Sequence, residues 1–153
     1  MSRDIVTSEN RDEFIAKKLG IKSNDSIEVG GRKIPVNQHA VDERSGNELH
    51  YVDADKFDEG FKRNKDQYIG KDGSGNSISD RYKKVGEFLK TAPSMRVGNA
   101  HVRENGLVDF GDGRHRFAYL RDQGLKHIPM SFSKEAARNA KKHGYIVEKK
   151  TNQ

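Results

Sequence analysis

Residues Gly111 to Gly124 read GDGRHRFAYLRDQG, and this stretch decides how the rest of the chain is understood. A β-leaning run, Leu107–Phe110, leads into it. Two glycines flank Asp112, and Arg114-His115-Arg116 then open a short helix that Gly124 stops as its C′ residue. A helix start leaves backbone N–H groups without internal partners and carries partial positive charge. Gly111 and Gly113 let the backbone come close to a ligand, Arg114 and Arg116 add guanidinium forks that match phosphate oxygens, and His115 can donate to an oxygen or shuttle a proton. Three consecutive helical residues point in different directions, so all three do not face one ligand. Two readings follow: a plain strand–turn–helix joint with solvated arginines, or a phosphate site. The chain has no GxxxxGK[ST] motif to settle the matter.

Working outward, "HIPMSF" after Gly124 predicts a strand. "SKEAARNAKKHG" predicts a helix capped by Ser133 and stopped by Gly144, and "YIVEKK" suggests an edge strand. Upstream, "MRVGNAHVRENGLVDFG" predicts two strands, Arg96–Val102 and Leu107–Phe110, joined by a turn at Glu104-Asn105-Gly106. "SDRYKKVGEFLKTA" predicts a helix with Tyr82, Val85, Phe88 and Leu89 as its apolar stripe, ended by Pro93. "IGKDGSGNSIS" reads as a loop that is either a lid or a linker. "LHYVDADKF" reads as a short strand and a turn, and "DEGFKRNKDQY" as helical or irregular. Near the N-terminus, Asn10, Phe14, Ile15, Leu19 and Gly20 mark a first helix, and "SIEVGGRKIPV" is a hairpin signal. The expected organisation is an N-terminal helix–hairpin extension (1–48), a central unit (49–133) and a basic C-terminal helix and tail (134–153), in the α+β class.

Composition bounds the function. Hydrophobic residues make up 32% of the 153 and charged residues 34%, and mean hydropathy is −0.98; this predicts a small core with exposed arms. The absence of cysteine excludes disulfides, thiol catalysis and thiolate-bound zinc. No apolar run is long enough to span a membrane and no signal peptide is visible, so the expectation is a soluble cytoplasmic protein. From Lys134 onward six Lys/Arg face two acids, a local +4 out of the total +6, which leaves +2 for residues 1–133. That basic tail is either a solvated helix face or a surface that touches DNA. The six histidines show no metal-binding spacing.

The stretch "VDFGDGRHRFAYLRDQGLKHIPM" resembles the signature of the ParB/sulfiredoxin superfamily: a strand, a Gly-x-x-Arg turn, an Ala-containing helix, a glycine and an Ile-Pro strand. Gly113-Arg114-His115-Arg116 takes the turn, Ala118 and Leu120 the helix, and Ile128-Pro129 the strand. The likeness spans roughly Leu49–Phe132. It implies a small mixed sheet packed with helices, and a turn that holds the phosphates of ATP, ADP or CTP with magnesium through Gly113, Arg114, His115 and Arg116, beside which Gly111 is a further phosphate-site candidate from the turn itself. Arg114 stands where sulfiredoxins carry their cysteine, which removes reductase chemistry. About twenty residues follow Phe132, too few for the helix-turn-helix domain of partition proteins, so the expectation is a stand-alone module.

The carboxylates offer further candidates. Asp109 and Asp112 flank the turn and could act as base or help hold magnesium, although Asp112 before Gly113 is also ordinary turn chemistry. Asp53 and Asp55 follow a strand, and Asp55 either contributes to magnesium binding or caps the next turn. Asp80 and Arg81 open a helix, with Arg81 in reach of phosphates or simply at the surface. Tyr68, Tyr82 and Tyr119 either stack on a base or pack in the core. Three functions fit: a magnesium-dependent phosphotransferase or phosphohydrolase, with His115, Asp109 and Asp112 as catalytic candidates; a DNA-binding or nuclease-like module of a phage or mobile element; or a non-catalytic adaptor or inhibitor with a relic site.

Overall fold

A computed structural model describes residues 25–37 and 46–147. The expected first helix, most of the loop after Val36 and the final six residues, Lys149 and Lys150 among them, lie outside the described residues. The elements in chain order are β1 (Ser26–Val29), β2 (Arg32–Asn37), β3 (Glu48–Asp53), α1 (Ala54–Lys62), α2 (Arg81–Leu89), β4 (Met95–Arg96), β5 (Gly98–Val102), β6 (Val108–Asp112), α3 (Arg114–Asp122), β7 (His127–Phe132), α4 (Lys134–Lys142) and β8 (Ile146–Val147).

The glycine pair does what its sequence demands. Gly30 and Gly31 both take positive φ, 56° and 80°, and close a two-residue hairpin that pairs Val29 with Arg32. Only glycine adopts that backbone at both positions without strain. Ile27, Val29, Ile34 and Val36 are buried, as period-two alternation predicts. β2 then pairs in parallel with β4, Val36 opposite Met95 and Asn37 opposite Arg96, giving a three-stranded sheet in the order β1-β2-β4.

The second sheet has the order β6-β5-β7-β3-β8. β5 runs parallel to β7, and the other neighbours are antiparallel. Among the described residues two mixed sheets and four α-helices make the protein α+β. Its core centres on Phe57, whose ring meets Phe110, Phe117, Phe132 and Tyr145 edge-on at 5.3–6.0 Å between centroids, an arrangement favoured by ring quadrupoles.

Three local readings are corrected. The turn expected after Val52 is the start of α1, where the Asp53 carboxylate accepts the Lys56 N–H at 3.1 Å and Asp55 lies in the first turn, both favourable at a helix N-terminus. The strand expected over Arg96–Val102 breaks at Val97, so Arg96 belongs to one sheet and Gly98 to the other. Phe88 is 57% exposed rather than part of the core stripe. The helix ends are as the glycines predict. Gly124 and Leu125 donate to Arg121 and Leu120 carbonyls, and Gly144 and Tyr145 to Lys141 and Ala140 carbonyls, the paired bonds of a Schellman motif. Ser133 caps α4 through the Ala136 N–H.

The Gly/Ser/Asn-rich loop between α1 and α2 is tied down along α3. Arg121 bonds Asp58 and the Ile69 carbonyl, each at 2.8 Å, and its own neighbour Asp122 at 2.9 Å. Asp122 in turn accepts the Tyr82 hydroxyl at 2.6 Å and the Asp72 N–H at 2.9 Å. Arg121 and both of its carboxylates are nearly buried, so removing Arg121 leaves two carboxylates without their cation.

Candidate functional site

The joint between β6 and α3 is tighter than a three-residue glycine turn. Gly111 and Asp112 stay in the strand, with Asp112 opposite Asn99 beside a bulge. Gly113 alone makes the turn, with φ +88°. A Cβ there would stand 3.0 Å from both the Arg116 Nη1 and the Gly98 Cα, so the position needs glycine for its backbone and for space. No side chain caps α3, nor α2, whereas Asp53 caps α1 and Ser133 caps α4.

Arg114, His115 and Arg116 diverge as expected. Arg114 turns back onto the loop and donates to the Gln67 and Asn76 carbonyls at 2.9 and 2.8 Å. His115 is buried, and its Nε2 accepts the Ile78 N–H at 3.0 Å; that bond requires an unprotonated Nε2. Arg116 turns into a cleft of about 530 Å³. Its Nη1 is buried beside Gly113, without a hydrogen-bond partner.

Three elements besides α3 line this cleft: α2 with Arg81, Lys84, Val85 and Phe88, β4 with Arg96, and the end of β6 with Asp112. Among the described residues Asp112 is its one carboxylate, and it lies 3.8 Å from Arg96 in an exposed pair. A smaller hollow of about 180 Å³ adjoins it, lined by Gln67, Arg81, Gly111, Asp112, Gly113 and Arg114 among others. Helical phase explains the division of labour on α2. Tyr82 and Gly86 turn inward, Arg81, Lys84, Val85 and Phe88 share the face toward the cleft, and the buried Leu89 borders both.

The charges of the site disfavour one another. Burial, then Arg114 and Arg81, pushes the His115 imidazole down to about 4. Burial, then Arg81, lowers Arg114. Arg116 is lowered by burial and by Arg96, against an opposing pull from Asp112. Arg114 and Arg116, with Arg81 and Arg96 beside them, make a positive potential suited to an anion.

Gln67 is a site residue that sequence reading missed. Its side-chain amide accepts the Phe110 N–H at 2.8 Å and donates to the Phe110 carbonyl at 3.0 Å. It thereby satisfies the outer edge of β6 as a neighbouring strand would, while its own carbonyl anchors Arg114. Nothing in a polar loop residue announces this. Lys84, Phe88 and Arg96 were missed as well, although the spacing of residues 81, 84 and 88 is a legible helix face.

Other candidates lie elsewhere. Asp109 faces Arg103 at 3.3 Å, away from the cleft. Asp55 is exposed in the first turn of α1. The register carries Asp112 across Asn99 and Ser131 to Leu49, so the Asp53 end of β3 is three strands over and four residues further on, ~14 Å across and ~13 Å along the sheet. Tyr68 bonds Asp58, and Tyr82 packs on Tyr119. Among the described residues no group of three or more His, Asp or Glu side chains could hold a metal ion, and no helix is long and apolar enough to cross a membrane.

No protein-family model matches the chain, and no curated protein matches it in sequence. Among solved structures it is similar to the Oncogenic Suppression Activity Protein, a plasmid fertility inhibition factor. The TM-score is 0.56 and the identity 14%, over 80% of this chain and 68% of that one. The likeness is one of fold, and that protein has a ParB/sulfiredoxin-like fold.

Proposed function

We propose that the cleft between α2 and the start of α3 binds the phosphates of a nucleotide of the ATP, ADP or CTP type. The observation that carries this reading is the convergence of Arg81, Lys84, Arg96 and Arg116 on one cavity with Asp112 as its lining carboxylate. Lys84 pairs with Asp80 at 3.5 Å and Arg96 with Asp112 at 3.8 Å, both at the exposed surface, where such pairs are weak enough for a phosphate to compete. Arg116 adds a guanidinium to the cleft wall, a fork that matches phosphate oxygens.

The residues do not make a magnesium-binding set. Asp112 stands alone beside Arg96, and Asp55 is remote. Phosphate binding at this cleft therefore rests on the cations alone. His115 serves as a positioning group, since its Nε2 is spent on Ile78. Asp112 is the carboxylate at the cleft able to take a proton from a hydroxyl. A second reading, phosphates of DNA, draws on the exposed face of α4, where Lys134, Arg138, Lys141 and Lys142 stand. That face leads to His143 at the Glu104 carbonyl, beyond the far end of β5 from Gly98, which adjoins Gly113. One strand would have to span the sheet to use both surfaces.

Thermal melting with pyrophosphate, ATP, ADP, CTP and GTP, with and without magnesium, tests the reading. A ligand bound only by the folded state raises the melting temperature by mass action. The Arg81→Ala/Lys84→Ala variant changes exposed side chains and is expected to remove the rise while remaining folded. Absence of any rise in the parent protein overturns phosphate binding.

A further inference from the structure

The α2 face that lines the cleft changes character along its length. Arg81 and Lys84 occupy its N-terminal part, and Phe88 ends it. Phe88 is 57% exposed and Ile78 50%, the two large apolar side chains so exposed among the described residues. Phe88 is the one of the two that lines the cleft, and its neighbour Leu89 is buried. Seven residues separate Arg81 from Phe88, ~10 Å along the helix axis, a span suited to a chain of phosphates, a sugar and a base. Around the ring the cleft is formed by Val85, Leu89 and Ser94. Among the described residues this end offers an apolar surface with one side-chain hydroxyl, and no array of side-chain donors and acceptors for reading the edge of a base.

We propose that Phe88 is a stacking platform for the base of a nucleotide whose phosphates lie toward Arg81, Lys84 and Arg116, and that the base is recognised by its face. This rests on the phosphate reading of the cleft. A base stacked on an aromatic ring strengthens binding roughly 5- to 100-fold and tolerates sequence, because every base has a π-face. Affinity then follows stacking area, with adenine and guanine nearly equal and cytosine weaker.

Calorimetric titration of the full chain with pyrophosphate, ADP, GDP and CDP tests it, alongside the Phe88→Ala and Phe88→Trp variants. The side chain is exposed on a helix and alanine is a good helix former, so folding is retained. The expected result is ADP and GDP within about 3-fold of each other and roughly 5- to 100-fold tighter than pyrophosphate. Phe88→Ala should bring ADP to the pyrophosphate level while pyrophosphate binding stays unchanged. The chain has no tryptophan, so Phe88→Trp places a single indole at the cleft, whose fluorescence should fall on ADP binding and not on pyrophosphate binding. Equal binding of ADP and pyrophosphate, or an unchanged ratio in Phe88→Ala, overturns the platform and leaves phosphate binding standing. Failure of all four ligands to bind overturns the phosphate reading itself. Binding restricted to one base overturns recognition by the face, and binding of a single-stranded oligonucleotide but none of the diphosphates overturns a mononucleotide ligand.

Discussion

Replacing Gly113 by alanine isolates the constraint that shapes the site, and Gly124→Ala provides an internal standard. The two glycines share one backbone conformation, φ +88° and +87°. Their surroundings differ: a Cβ at 124 meets nothing within 4 Å, whereas one at 113 lies 3.0 Å from the Arg116 Nη1 and the Gly98 Cα. An alanine in left-handed conformation costs ~1–2 kcal/mol, and its stiffer unfolded chain returns ~0.5 kcal/mol. Gly124→Ala should therefore lose about 1 kcal/mol. At 113 the same loss is joined by overpacking of ~1–2 kcal/mol, since the Gly98 Cα is backbone and Arg116 is packed in place. The total is about 2–3 kcal/mol. For a chain of this size 1 kcal/mol moves the melting temperature by ~2–4 °C, so falls of ~3 °C for Gly124→Ala and ~8 °C for Gly113→Ala are expected by circular dichroism. Equal falls would refute the crowding at the joint, and a stable Gly113→Ala would refute the left-handed turn as well.

Two further predictions concern what holds the cleft in shape. His115 stays neutral in the fold down to a pKa of about 4, whereas an unfolded histidine titrates near 6.5. Between these values the unfolded chain binds the extra proton, so stability falls as pH drops through that window, by up to ~1.4 kcal/mol per unit, and is unaffected above pH 7. His115→Gln keeps an acceptor for the Ile78 N–H and cannot titrate; urea midpoints measured from pH 7 to 5 should show a flatter slope, and an unchanged slope would refute the role of His115. Arg32 donates to the Leu89 carbonyl at 2.9 Å and to the Ala92 carbonyl, closing the C-terminal end of α2 where helix carbonyls lack partners. Arg32→Ala should cost about 2 kcal/mol, with Arg32→Lys recovering part of it because an ammonium lacks the fork to hold both carbonyls; an Ala variant as stable as the parent in urea would show that the cap contributes nothing.

What was legible in the sequence was local. Gly30-Gly31, Ser133 and the paired stops at Gly124 and Gly144 each impose a backbone state that needs no distant partner, and each is found where it was read. The start of α1 was equally local but masked: Asp53 and Asp55 signal a helix N-terminus, yet the inward positions Ala54, Phe57 and Phe61 are separated by charged residues and a glycine. Apolar character alone puts Phe88 in one stripe with Leu89, although a helix turns ~100° per residue and sets the two side chains apart, one exposed and one buried. The fate of Arg114 and His115 was not legible. Both are held by carbonyl and amide groups of Gln67, Asn76 and Ile78, in a loop whose sequence has no period to fix its path.

The same distinction explains how the cleft is made. Its cations come from α2, β4 and α3, and β4 is held by the hairpin, through Val36 opposite Met95 and Asn37 opposite Arg96. The hairpin also grips the end of α2 through Arg32. The chain then crosses from one sheet to the other in a single residue, Val97, so that Arg96 stands at the cleft while Gly98 packs against Gly113. The hairpin thus sets the positions of Arg81, Lys84 and Arg96 relative to Arg116 without lining the cleft itself. An anion seated among the four cations would bind only the arrangement that the hairpin holds, so binding and the stability of the hairpin contact should rise in step.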